Sequence, residues 1–77
     1  MNVPILGETK KRILLELEGG GLHGYQLARQ LDIPVTGIYQ HLKELSSEGL
    51  IIPKKDARKK VYSLTEKGRK LVELIKD

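Results

Sequence analysis

The stretch from Gly24 to Lys60 constrains the fold more than any other part of this 77-residue chain. Two helical apolar patterns, Leu27/Ala28/Leu31 and Ile38/Leu42/Leu45, are separated only by a short break at Asp32-Ile33-Pro34. Pro34 has no N–H, and it disfavours α conformation at Ile33. The spacing predicts a helix over 24–31, a tight turn, and a helix over about 35–48 whose start tolerates Pro34. Gly49 suits the position just past that helix, because it takes left-handed φ without steric cost. Leu50-Ile51-Ile52 and Val61-Tyr62-Ser63-Leu64 then read as partner strands, with Tyr62 and Leu64 on one face. Lys55-Asp56-Ala57-Arg58 is the expected turn between them, and Pro53 marks an edge position.

The flanks supply the rest of a small core. A helix is expected over 8–17, with Ile13, Leu14 and Leu17 on one face. Leu15 points roughly 160–200° away from Ile13 and Leu17, at about 100° per residue. Gly19-Gly20-Gly21 reads as a turn, and Leu22-His23 as a very short strand. Thr65 is an N-cap candidate for a last helix over 66–76. Leu71, Leu74 and Ile75 form its stripe, with Val72 beside it. Gly68 weakens its start by roughly 1 kcal/mol relative to Ala. The expected class is α+β, mainly α: a single domain over 1–77, with a three-helix core, a β-hairpin wing and a C-terminal helix. This is the plan of a winged helix-turn-helix.

Charge is concentrated. Residues 53–70 hold eight Lys/Arg and two acids, while the whole chain carries a net charge of only +4. A localised basic block is what a polyanion-binding surface needs, although a solvated hairpin tip would have the same composition. The chain has no Cys, so neither a disulfide nor a thiolate metal site is expected. His23 and His41 have no neighbouring ligand, and no metal or cofactor is expected. Ser46, Ser47 and Thr65 lack a His–acid partner at any suggestive spacing, so no enzyme is expected. With no membrane span and no signal peptide, the expected location is the cytoplasm, at the nucleoid.

The outer face of the third helix carries the specificity argument. It presents Thr36, Tyr39, Gln40, Lys43 and Ser47, with Glu44 and Glu48 off its centre. Such a face suits the major groove, where every base pair shows a distinct pattern of donors, acceptors and methyl groups. Val35, Thr36, Tyr39, Gln40 and Lys43 are the candidate base contacts, residues 35–40 foremost, since the helix N-terminus enters deepest. Lys54, Lys55, Arg58, Lys59 and Lys60 are the candidate phosphate contacts. Arg58 near the tip also suits a narrow minor groove. The expected partner is double-stranded DNA.

The chain resembles the winged helix-turn-helix domain of PadR-like and ArsR-like transcriptional regulators over about residues 8–75. His23-Gly24-Tyr25 and Gly37-Ile38-Tyr39 look more like PadR. The Leu42…Leu45…Glu48-Gly49-Leu50-Ile51 run and the Val61-Tyr62-Ser63-Leu64-Thr65-Glu66-Lys67-Gly68 run suit both. The resemblance implies a recognition helix at 35–43, a wing at 53–60, and a homodimer built on the terminal helices. Leu6, Leu15, Leu71, Leu74 and Ile75 are the candidate dimer contacts. PadR-like proteins usually carry a longer C-terminal helical region, whereas this sequence stops at Asp77 after one short helix. The resemblance therefore carries no effector pocket over to this chain and leaves open whether an effector exists, and ArsR-like metal sensing lacks its cysteines. The function expected is a DNA-binding regulator on a pseudo-palindrome. The alternative is a winged-helix protein-interaction adaptor, since fold alone does not fix function.

Overall fold

The structure, a computed structural model, describes residues 7–76. Its elements are α1 (Glu8–Leu17), β1 (Leu22–His23), α2 (Gly24–Leu31), α3 (Val35–Ser47), β2 (Ile51–Asp56), β3 (Lys59–Leu64) and α4 (Glu66–Lys76). The strands form one antiparallel sheet in the order β1-β3-β2. This is the expected mainly helical winged helix-turn-helix.

Both helices of the central motif stop by the same device. After α2, Asp32 takes a left-handed φ of 58°, and the Ile33 N–H donates back to the Ala28 carbonyl at 2.9 Å. After α3, Gly49 takes φ 77°, and the Leu50 N–H donates to the Leu45 carbonyl at 3.1 Å. These are Schellman closures, which satisfy the last carbonyls of each helix. Pro34 is thus not alone in ending α2. Asp32 already turns the chain, and Pro34 follows directly before α3. Arg12 on α1 ties this corner down by donating to the Leu31 carbonyl at 2.9 Å.

The core follows the apolar periodicity. Ile13, Leu14 and Leu17 from α1 meet Leu27, Ala28 and Leu31 from α2 and Ile38, Leu42 and Leu45 from α3. Leu50, Ile51, Tyr62 and Leu64 close it from the sheet, and Leu71 and Val72 from α4. Burying each such Leu or Ile contributes about 1.5–3 kcal/mol.

The wing differs from expectation. Its strands run to Asp56 and from Lys59, so the turn is only Ala57-Arg58. Ala57 takes φ 59°, the positive φ that a two-residue hairpin loop demands at its first central position. Pro53 lies inside β2, where it is tolerated because β2 is an edge strand.

The start of α4 is clasped to the end of α3. The Thr65 hydroxyl donates to the Gly49 carbonyl at 2.6 Å, and its N–H donates to the Leu50 carbonyl at 3.1 Å. The Gly68 N–H donates to Thr65 Oγ1 at 3.0 Å, so Thr65 is the N-cap. Gly68 stands where any Cβ would collide with the Leu50 carbonyl. Its helix-weakening effect is thus offset by a close approach that no other residue permits.

This packing corrects one expected dimer contact. α4 turns Gly68, Leu71 and Val72 inward at i, i+3 and i+4, and Leu71 is only 9% exposed. It belongs to the chain's own core. Leu74 is 63% exposed and Leu15 37%, while Ile75 is half-buried against the core. Leu6 lies outside the described residues.

Candidate nucleic-acid interface

The chain contains three tyrosines and neither Phe nor Trp. All three tyrosines line one open cleft of about 500 Å³, together with His23, Arg58, Lys59 and Lys60. Aromatic side chains usually anchor cores. Here Tyr25 and Tyr39 instead lie exposed, near the starts of α2 and α3, facing the wing, while Tyr62 reaches the cleft from the core side of β3. Tyr62 is buried, and desolvation pushes its hydroxyl pKa up, with a smaller push from Tyr39. Tyr25 is exposed, with the Arg29 guanidinium 5.9 Å from its ring centre.

Tyr39 is 45% exposed, and Gly24 makes its position available. A Cβ on residue 24 would lie 2.6 Å from the Tyr39 Cε1 and Cζ atoms and 2.8 Å from its hydroxyl. The ring therefore crosses the backbone at the N-terminus of α2. Gln26 accepts a 3.1 Å hydrogen bond from the His23 N–H and so fixes the entry into that helix. Gly24, His23, Tyr25 and Tyr62 lie outside the set of site residues expected from the sequence. The only signals for them there are the His23-Gly24-Tyr25 triplet and, for Tyr62, the Val61-to-Gly68 run, both as a family resemblance.

On α3, Val35, Thr36, Tyr39, Gln40 and Lys43 are all exposed and share the expected outer surface. Ser47 instead donates its hydroxyl to the Glu44 carbonyl at 2.9 Å. Glu44, expected off the centre of this face, is tied into it. Its carboxylate accepts from Gln40 Nε2 at 3.0 Å and from Lys10 Nζ of α1 at 2.8 Å. The Lys10 ammonium, then the Gln40 amide, hold the Glu44 pKa below the usual carboxylate range. Glu44 in turn raises that of Lys10. His41 Nδ1 has no partner among the described residues and stands off the outer face.

The five wing cations do not form one sheet face. Register sets Lys55 opposite Lys60, beside the Pro53–Tyr62 pair, and Lys54 opposite Val61 on the other face. Lys59, opposite Asp56, belongs to that other face, yet at the tip it also reaches the cleft. Among the described residues, no carboxylate lies within ion-pair distance of any of the five. Like charges directly opposite on a sheet destabilise it. Lys55 and Lys60 are such a pair, both exposed.

No group of His and acidic side chains suited to a metal ion occurs among the described residues. No described helix is long and apolar enough to cross a membrane.

Comparison with known proteins agrees with this architecture. Among solved structures, a mutant of Lactococcus lactis ZitR superposes with a TM-score of 0.90 at 25% identity, over 99% of this chain and 54% of that one. A mutant of S. aureus MepR bound to an oligodeoxyribonucleotide gives 0.85 at 28% identity, over 90% of this chain and 54% of that one. The adhesin competence repressor AdcR from Streptococcus pyogenes gives 0.85 at 25% identity, over 90% and 54%. The chain thus spans about half the length of the structures it matches. No curated protein matches the sequence. The model of the transcriptional regulator PadR-like family, a family of regulators rather than enzymes, matches residues 13–74. The PadR-like half of the expected resemblance is borne out, while the ArsR-like half gains no support from this match. With that match covering most of its length and the fold to go with it, this chain belongs to the PadR-like family of transcriptional regulators.

Proposed function

We propose that this chain binds duplex DNA, with α3 in the major groove and the wing on the phosphates alongside. The observation that carries this reading is the cleft. All three tyrosines line it, together with three cations that have no ionic partner among the described residues. It lies between a polar helix face and a basic hairpin. A strand of DNA passing there would meet hydroxyl and ammonium donors together. Tyr39 and Tyr25 would donate to phosphate or pack on sugar, and Lys60 would neutralise charge. Thr36, Gln40 and Lys43 would reach base edges, and Val35 would lie against thymine methyls or sugar. The DNA-bound MepR neighbour supports the same use of the same fold.

The reading extends to a homodimer on a pseudo-palindrome, acting at the nucleoid in the cytoplasm. Leu15 on α1 and Leu74 with Ile75 on α4 remain available to a second copy. Two α3 helices would then sit roughly 34 Å apart, one turn of DNA.

Binding to a selected duplex, followed by fluorescence anisotropy from 50 to 200 mM salt, tests the reading. With four or five phosphates neutralised, affinity should fall about a hundredfold or more, at a slope near −0.9 per contact. A salt response close to flat would sink the wing assignment. Sedimentation of the protein bound to its selected duplex tests the stoichiometry, and one chain per site would remove the palindrome.

A further inference from the structure

We propose that Glu44 is a positioning residue for base reading: held by Lys10 of α1, it fixes the direction of the Gln40 amide so that Gln40 selects adenine and rejects guanine. This inference rests on the placement of α3 in the major groove.

The argument starts from what a carboxylate can do. An ionised carboxylate only accepts hydrogen bonds, so a neighbouring amide must turn its NH2 toward it. Glu44 uses its two oxygens for two partners. Oε2 takes the Gln40 Nε2 at 3.0 Å, and Oε1 takes the Lys10 Nζ at 2.8 Å. The Gln40–Glu44 contact alone would be an ordinary i, i+4 pair of a helix surface. Lys10 makes it more than that. It comes from a different helix and leaves Glu44 one preferred place to stand. With Glu44 so fixed, the amide cannot exchange its oxygen and nitrogen ends without setting oxygen against carboxylate.

That asymmetry has a consequence in the groove. The Gln40 Oε1 and one Nε2 hydrogen remain available. Adenine offers an amino donor at N6 and an acceptor at N7, which match that pair. Guanine offers acceptors at both O6 and N7, which leaves Oε1 facing oxygen. An unconstrained glutamine could turn its NH2 toward guanine. The Lys10–Glu44 pair removes that option. It also places a carboxylate near a polyanion, which Lys10 makes tolerable by neutralising it.

Selection of bound duplexes from a random pool tests this with the wild type, Gln40→Ala, Glu44→Gln, Lys10→Met and the Gln40→Ala/Glu44→Gln double variant. The wild type should select adenine at one position of each half-site, and Gln40→Ala should flatten that position alone. Glu44→Gln should admit guanine there, with discrimination falling about threefold to tenfold, within the range one base contact provides. Its affinity for mixed-sequence DNA should hold or rise, because a negative charge is removed. A loss of structure would lower both together. Lys10→Met should broaden the same position to a smaller degree. In the Gln40→Ala background, Glu44→Gln should change nothing further at that position. If Gln40→Ala flattens the position while Glu44→Gln leaves it intact, or acts equally without Gln40, the positioning role is wrong and base reading stands. If Gln40→Ala alters no position, both the role of Gln40 and this inference fall.

Discussion

α3 and the wing flank the same cleft but are built on opposite terms. α3 buries Ile38, Leu42 and Leu45 completely, and its outer face is nearly uncharged. Its position is set by packing that exists without any partner. The wing beyond Ile51 exposes every residue from Ile52 to Lys60 and is held chiefly by its backbone ladder. It sets Lys55 against Lys60 with no acid among the described residues to relieve them. An element with few buried contacts and many exposed hydrogen bonds opens at low free-energy cost. In the proposed complex, selectivity would rest on the rigid helix, where a small displacement matters. Affinity would rest on the wing, where charge acts over distance and tolerates adjustment.

The largest expected effect tests the rigidity of the helix. Ile38→Ala should cost about 2–5 kcal/mol in urea denaturation, the range for an aliphatic side chain removed from a packed core. Ile52→Ala, on the exposed wing, should stay within about 0.5 kcal/mol. Equal costs would erase the contrast. Gly24→Ala comes next. Its Cβ meets the Tyr39 ring, so stability should drop by about 1–3 kcal/mol as the ring is displaced. DNA binding should weaken with it. In a Tyr39→Ala background, the added methyl should have much less effect on either measurement. A loss just as large there would mean that Gly24 serves something other than the ring.

Removing Lys55 and Lys60 together sharpens the other half of the comparison. Binding should weaken for all sequences alike, and the salt slope should shrink by about two, roughly one for each phosphate no longer neutralised. The free protein should gain slightly in stability, by at most about 1 kcal/mol, as a like-charge pair is relieved. Ala57→Gly should add about 0.5–1 kcal/mol, since Ala57 holds a positive φ that glycine adopts freely. Thermal unfolding detects both. A smaller effect still concerns pH. The raised Tyr62 pKa means that its neutral form is favoured in the folded state. Its contribution is present below the unfolded value of 10.0 and fades as pH rises through the folded one. Tyr62→Phe should blunt that alkaline loss in a pH series of melts.

Much of the fold is legible in the sequence because helix patterns are local. Ile13/Leu14/Leu17, Leu27/Ala28/Leu31 and Ile38/Leu42/Leu45 all point inward as their spacing implies. The length of the wing is not legible. Strands solvated on both faces need no apolar alternation, so the residues between Pro53 and Lys60 carry no strand signal. The α4 stripe misleads at Leu71 because Leu71, Leu74 and Ile75 fit one helical face equally well. Tertiary packing decides which side turns in, with Gly68 set close against the Leu50 carbonyl. In the candidate site, the outer surface of α3 and the basic hairpin can be read residue by residue. The seat of Tyr39 on Gly24 and the bond from Lys10 to Glu44 cannot. Both join residues far apart in sequence, and neither pairing leaves a periodic trace.

The clasp of Thr65 on Gly49 and Leu50 has a mechanical meaning for any assembly built on α4. Two hydrogen bonds from Thr65 and a glycine contact tie the end of α3 to the start of α4. The orientation of α4 relative to α3 is set at this link. If a second copy docks on the exposed side of α4, the separation of the two α3 helices becomes a gauge set at this link. A signal that tilts α4 by a few degrees would change the spacing of the half-sites the pair can span, with no change in any group that touches a base.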